Sequence, residues 1–122
     1  MLYYILAIYN IKMRLVGLFH VLIVATLFLY VGIRKTDIPL FMFPILLGLG
    51  AIIIPYHAYK ASIKKSGWVN YIHIFLVGPL LMYIGYNGVE TERKFFELLI
   101  MLGFAALGYH GFYLLYTEPK NT

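Results

Sequence analysis

The sequence predicts an all-α membrane protein, a bundle of four transmembrane helices built from two tandem helical hairpins. Three observations carry that expectation. First, the chain is 62% hydrophobic and 12% charged, with a mean hydropathy of +0.83, a balance foreign to a soluble domain of 122 residues. Second, the charges fall between four long apolar runs, roughly residues 15–33, 38–56, 68–86 and 95–116, each near the ~20 residues that a helix needs to cross ~30 Å of hydrocarbon. Nothing alternates with the period of a membrane β-strand. Third, the chain matches itself. Residues 13–60 laid on residues 66–113, a shift of 53 without a gap, are identical at 12 of 48 positions: 16, 20, 24, 27, 30, 32, 43, 46, 49, 50, 56 and 57 on their mates.

Six of those twelve matches are His, Tyr or Gly, which a hydrophobic composition does not inflate. All four histidines take part. His20 falls on His73 and His57 on His110. An imidazole inside a membrane is rare, and is costly there without a partner.

Taken in order, residues 1–12 form an apolar N-terminal segment without the basic start or small-residue cleavage site of a signal peptide. It either lies along the interface, which Tyr3, Tyr4, Tyr9 and Asn10 favour, or extends the first helix. Residues 13–60 are the first hairpin, turning at Asp37 and Pro39. A basic linker, residues 61–67, leads to the second hairpin, residues 68–116, which turns near an Asn-Gly pair, Asn87-Gly88. Residues 117–122 are a polar tail expected to fray. Two hairpins with one orientation imply a pseudo-twofold axis along the membrane normal.

Charge sets the topology. The side with both termini carries Lys12, Arg14, Lys60, Lys64, Lys65 and Lys120, and the other carries Arg34, Lys35, Arg93 and Lys94. Basic residues collect on the cytoplasmic side, so both termini are expected there. The surplus suits contact with anionic lipid. No basic face exists away from the membrane edge, so nucleic acid is not an expected partner. The bilayer is the expected partner, and the outward faces neither require nor exclude a homo-oligomer.

The repeated positions step by three and four, so they trace one stripe per helix. The histidines are therefore expected to point into the bundle. Small residues on the same stripe (Gly50, Gly103, Ala106) permit close helix approach or leave room for a flat ligand. Pro44, Pro55 and Pro79 are expected to bend their helices. His20 is six residues from Arg14, His73 five from Trp68, His57 three from Lys60 and His110 six from Tyr116. At ~1.5 Å per residue, all four lie within about 10 Å of the terminus-bearing face. One histidine layer cannot hold two haems stacked across a membrane.

That layer suggests three kinds of chemistry. His20, His57, His73 and His110 can act as imidazole ligands to one haem b or to a transition-metal ion, serving electron transfer, sensing or metal handling. They can instead gate a proton or cation pathway, because histidine titrates near neutral pH. Or they form a structural polar layer in a membrane protein with no ligand. Tyr30 and Tyr83 read as aromatic-belt anchors, as does Trp68. Asn70 is a candidate to orient an imidazole, and its mate is Gly17, so any such role is asymmetric. Glu97 reads as a solvated helix-start carboxylate. The chain has no cysteine, which excludes disulfides, thiolate metal sites and iron–sulfur clusters. No serine–histidine–acid set, phosphate loop or His-Glu-x-x-His motif points to hydrolytic or phosphoryl-transfer chemistry.

The stretch Trp68-Val-Asn-Tyr-Ile-His-Ile-Phe-Leu-Val-Gly-Pro-Leu-Leu-Met-Tyr-Ile-Gly85, followed by Gly108-Tyr-His110, resembles small four-helix membrane proteins of unknown function from large DNA viruses. The resemblance covers most of the chain beyond Arg14. It implies the four-helix fold, and no activity or ligand residue.

Overall fold

The computed structural model describes residues 1–65 and 67–116, and the expected polar tail lies outside them. It is all-helical, with no strand among the described residues. Four helical spans are long and apolar enough to cross a membrane: Leu2–Asp37, Met42–Ser62, Trp68–Glu90 and Arg93–Tyr116. An unbroken apolar sequence favours helix because every backbone N–H and C=O is then satisfied within the segment.

The first span is α1 (Leu2–Phe19), a π-helical segment (His20–Val24) and α2 (Ala25–Arg34), closed by a 3-10 turn at Lys35–Asp37. Residues 1–12 thus extend the first helix. From Leu2 to Arg34 the run has 33 residues, about 50 Å at ~1.5 Å each. The second span is α3 (Met42–Ser62). Its start is fixed by N–H bonds from Met42 to the Pro39 carbonyl (2.9 Å) and from Phe43 to that of Leu40 (3.2 Å). Its end is closed by Lys64 at φ 57° with Lys65 N–H on the Lys60 carbonyl at 2.9 Å, the six-to-one bond of a Schellman cap. The third span is α4 (Trp68–Ile72), a π segment (His73–Val77) and α5 (Gly78–Asn87), with a 3-10 turn at Gly88–Glu90. The fourth is α6 (Arg93–Tyr116).

The closest packing joins the first span to the fourth and the second to the third. Each helix therefore leans on one from the other half of the chain more than on its own hairpin partner. Glycine explains this. A Cβ on Gly32 would stand 2.5 Å from Ile100 and 2.9 Å from the Phe96 carbonyl oxygen, and one on Gly85 would meet Leu47 and stand 2.6 Å from the Phe43 carbonyl oxygen. No larger residue allows these backbones to touch. The positions of contact make both pairs antiparallel.

Between the pairs lies a core that includes Phe28, Val31, Leu46, Leu81, Ile84, Phe96 and Leu99, the last five of them at most 1% exposed. The outer surface is largely apolar, with Phe75, Met101 and Leu115 among many exposed side chains, as expected of helices that face lipid. In α3 and α6 the inward stripe is the expected one: Phe43, Leu46, Gly50 and His57, then Phe96, Leu99 and Gly103, are buried. His57's sequence mate His110 is only partly covered. In the first span the expected stripe holds in part: Val24 and Leu27 pack against the core and Gly32 is buried, but Val16 and Tyr30 face outward, at 45% and 39% exposure. A π turn adds a residue to the helix and rotates the turns beyond it, and Ala25, Phe28 and Val31 join those positions on the buried face.

Candidate functional site

Each of the two π segments begins on a histidine, His20 and His73. Such bulges recur at functional sites because they re-aim a side chain and relax the local ladder. The His20 ring donates Nδ1–H to the Val16 carbonyl at 2.8 Å, and His73 does the same to the Val69 carbonyl at 2.8 Å. The carbonyl can only accept, so the proton sits on Nδ1. In the neutral ring, Nε2 then carries a lone pair.

The four rings make a continuous row. His57 stacks on His73 with centres 4.0 Å apart and planes 16° from parallel. His73 meets His20 at 6.3 Å with perpendicular planes. His20 stacks on His110 at 4.2 Å and 25°. The row runs across the bundle near the end that carries Ser62, Trp68 and Tyr116, and α1 continues beyond it to Leu2. Sequence reasoning supplied the four residues and their common depth, but the order of the rings, their stacking and the π turns had no signal in it.

The row is not uniform. Asn70 is fully buried. Its Oδ1 accepts from His57 Nδ1–H at 3.0 Å, and its Nδ2 donates to the Lys65 carbonyl in the linker. The orienting role foreseen for Asn70 thus falls on His57. His57 is 7% exposed, while the other three rings are partly covered. Beside the opposite pair lies an open cavity of about 110 Å³, lined by His20, His73 and His110 together with Phe28, Ala106 and other mostly apolar side chains. Trp68 and Tyr109 also line it and touch edge to face at 5.7 Å.

Among the described residues, no group of three or more His, Asp or Glu side chains is placed to hold one metal ion. Stacking is the reason. An ion sits in the plane of its imidazole, ~2 Å from nitrogen, and two parallel rings aim their lone pairs side by side instead of at one point. Tyr83 packs on Phe95 at 4.4 Å and Tyr30 lies under Arg34 at 6.0 Å, both near the far turns. Glu97 pairs with Arg93 at 2.8 Å in an exposed position.

No protein-family model, no curated protein and no solved structure matches this chain. The resemblance to small viral membrane proteins therefore gains no relative, and adds nothing to the assignment of function.

Proposed function

We propose that this chain is an integral membrane protein that holds a transition-metal centre between His20 and His73, near the membrane face bearing both chain ends. The inner pair of rings carries the reading. Two imidazoles on opposite sides of one ion have ring centres about 6 Å apart, from metal–nitrogen bonds of about 2 Å and about 1 Å from each nitrogen to its ring centre. The His20 and His73 centres are 6.3 Å apart. Both rings donate Nδ1–H to a backbone carbonyl, the usual way in which a metal-binding histidine is oriented to present Nε2. His57 and His110, stacked outside, brace the inner rings.

Haem iron is the second form of this reading. His20 and His73 would be the residues to hold it, and the adjacent cavity is lined mostly by apolar side chains. Its ≈ 110 Å³ is small beside the ~300–1,000 Å³ of most cofactor pockets, so a bare ion requires less rearrangement. A proton or cation pathway is less well supported. Beyond the row the interior is Phe28, Val31, Leu46, Leu81 and Leu99, and the buried polar side chains among the described residues are only His57, Asn70 and Thr91.

Tandem hairpins about a pseudo-twofold axis belong to the same proposal. Shifts of 53 residues relate the two π segments, the two 3-10 turns, the contacts of Gly32 and Gly85, and the two stacked histidine pairs. Six basic residues against four orient the termini toward the cytoplasm.

Elemental analysis and a visible spectrum of purified protein test the centre. One metal per chain, or a Soret band, is expected, lost in both His20→Ala and His73→Ala and weakened about tenfold in His57→Ala and His110→Ala. Equal loss from all four substitutions would replace the pair with a four-imidazole centre. Metal retained by His20→Ala would end the proposal, and no metal or haem in any preparation would leave a purely structural layer.

A further inference from the structure

The cavity at the His20–His110 end of the row points to a second ligand, one that would compete with a metal for the Nε2 atoms of His20 and His73 and is therefore tested in metal-free protein. Its volume, about 110 Å³, is below the ~150 Å³ of an enclosed apolar cavity that takes up benzene, but the cavity is open on one side, so a single ring can enter it with its substituent toward lipid. Its walls combine the apolar side chains of Val24, Phe28, Val77 and Leu102 with three imidazoles. His20 and His73 have committed their Nδ1–H groups to backbone carbonyls, so what they can still offer is an acceptor. An acceptor among hydrocarbon walls favours a ligand that is apolar apart from an O–H donor. Trp68 and Tyr109 border the same cavity; such rings prefer the membrane–water boundary, where an amphipathic molecule dissolved in lipid concentrates. Ala105 and Ala106 complete the wall from α6, and Ala105 is exposed on the outer surface, which makes that side a route from lipid.

We propose that this cavity binds a lipophilic single-ring phenol, the class that includes hydroquinones, with its hydroxyl donating to a histidine Nε2. The matching position at the other end of the row does not offer this, because His57 is buried and tied to Asn70.

Trp68 is the only tryptophan in the chain, so its emission reports the cavity directly. Full-length protein in micelles, stripped of metal by chelator, is titrated with 4-propylphenol and with propylbenzene. A saturable change in Trp68 emission is expected for the phenol, with propylbenzene about tenfold weaker, the effect of one hydrogen bond. Ala106→Leu, which fills the cavity, should abolish saturation. Ala105→Leu at the lipid-facing wall gives a second test should the first variant fail to fold, and should weaken binding at least tenfold. His20→Phe should reduce the preference for the phenol. A linear, non-saturating response, equal affinity for the two probes, or unchanged binding in a folded cavity-filling variant would each overturn the proposal. Because metal is absent throughout, these outcomes are separate from the fate of the His20–His73 centre.

Discussion

The two stacked histidine pairs are the same two residues met twice, and they have been put to different uses. His57 on His73 and His110 on His20 have nearly equal ring separations, 4.0 and 4.2 Å. Asn70 and its mate Gly17 are the difference nearest the rings. Asn70 fills the space beside the first pair and bridges His57 to the linker carbonyl of Lys65. Its mate Gly17 has no side chain, and Leu114 closes to 3.3 Å from where a Cβ would stand. One imidazole is anchored by polar bonds inside the protein. The other is held by packing, makes no hydrogen bond among the described residues, and borders a cavity. With Asn70 beside it His57 is a fixed support, and with Gly17 at the matching position His110 is left bordering the cavity.

Removing the anchor should have the largest effect. Asn70→Ala strands the buried His57 N–H and frees the part-buried Lys65 carbonyl, a loss of about 2–3 kcal/mol. The shift in the SDS- or heat-unfolding midpoint measures it, and an unchanged midpoint would show that the asparagine is incidental. Next comes the contrast between the paired rings. His57→Phe keeps stacking but strands Asn70, at about 1–2 kcal/mol, whereas His110→Phe keeps the stacking and strands nothing, and should cost under about 0.5 kcal/mol. Equal losses would erase the distinction between the pairs.

Rebuilding the anchor on the other side is a finer test. Gly17→Asn alone meets Leu114, and overpacking of this kind destabilises by about 1–3 kcal/mol. Adding Leu114→Ala, the residue found at the matching position 61, should recover about 1 kcal/mol of that. Nitrogen NMR should then show an ordered Nδ1–H on His110. The smallest effect concerns the far turns, where Lys35 holds φ 55°, ψ −122° and its mate Gly88 φ 55°, ψ −128°. That region is natural for glycine and strained for lysine. Lys35→Gly should therefore stabilise by roughly 0.5–1 kcal/mol, read as a small rise in the same midpoint.

Much of this was legible in the sequence, for physical reasons. Four apolar runs parted by charge give four helices because hydrocarbon leaves the backbone no other solution. Coincident histidines gave their common depth. The stripes on α3 and α6 followed from a constant helical period, and Phe43, Leu46, Phe96 and Leu99 are buried as that period requires. The same reasoning placed Val24, Leu27 and Gly32 correctly but missed Val16 and Tyr30, which point outward. It also did not yield the pairing of the first helix with the fourth, since Gly32 and Gly85 advertise a close contact without naming the partner. Asn70 stood out as a polar residue near an imidazole, but its reach to His57 depends on how two helices cross.

The dry packing around Leu46, Leu81 and Leu99 has an electrical consequence. With one bilayer edge near Arg14, six residues from His20, a charge travelling from that side to the imidazoles passes about 9 Å of the ~30 Å insulating thickness. It would feel roughly a third of any transmembrane voltage, about 0.7 kcal/mol per 100 mV out of ~2.3 for a full crossing. Protons or metal cations exchanging there would respond to the chemistry of one compartment and only in part to the membrane's polarisation.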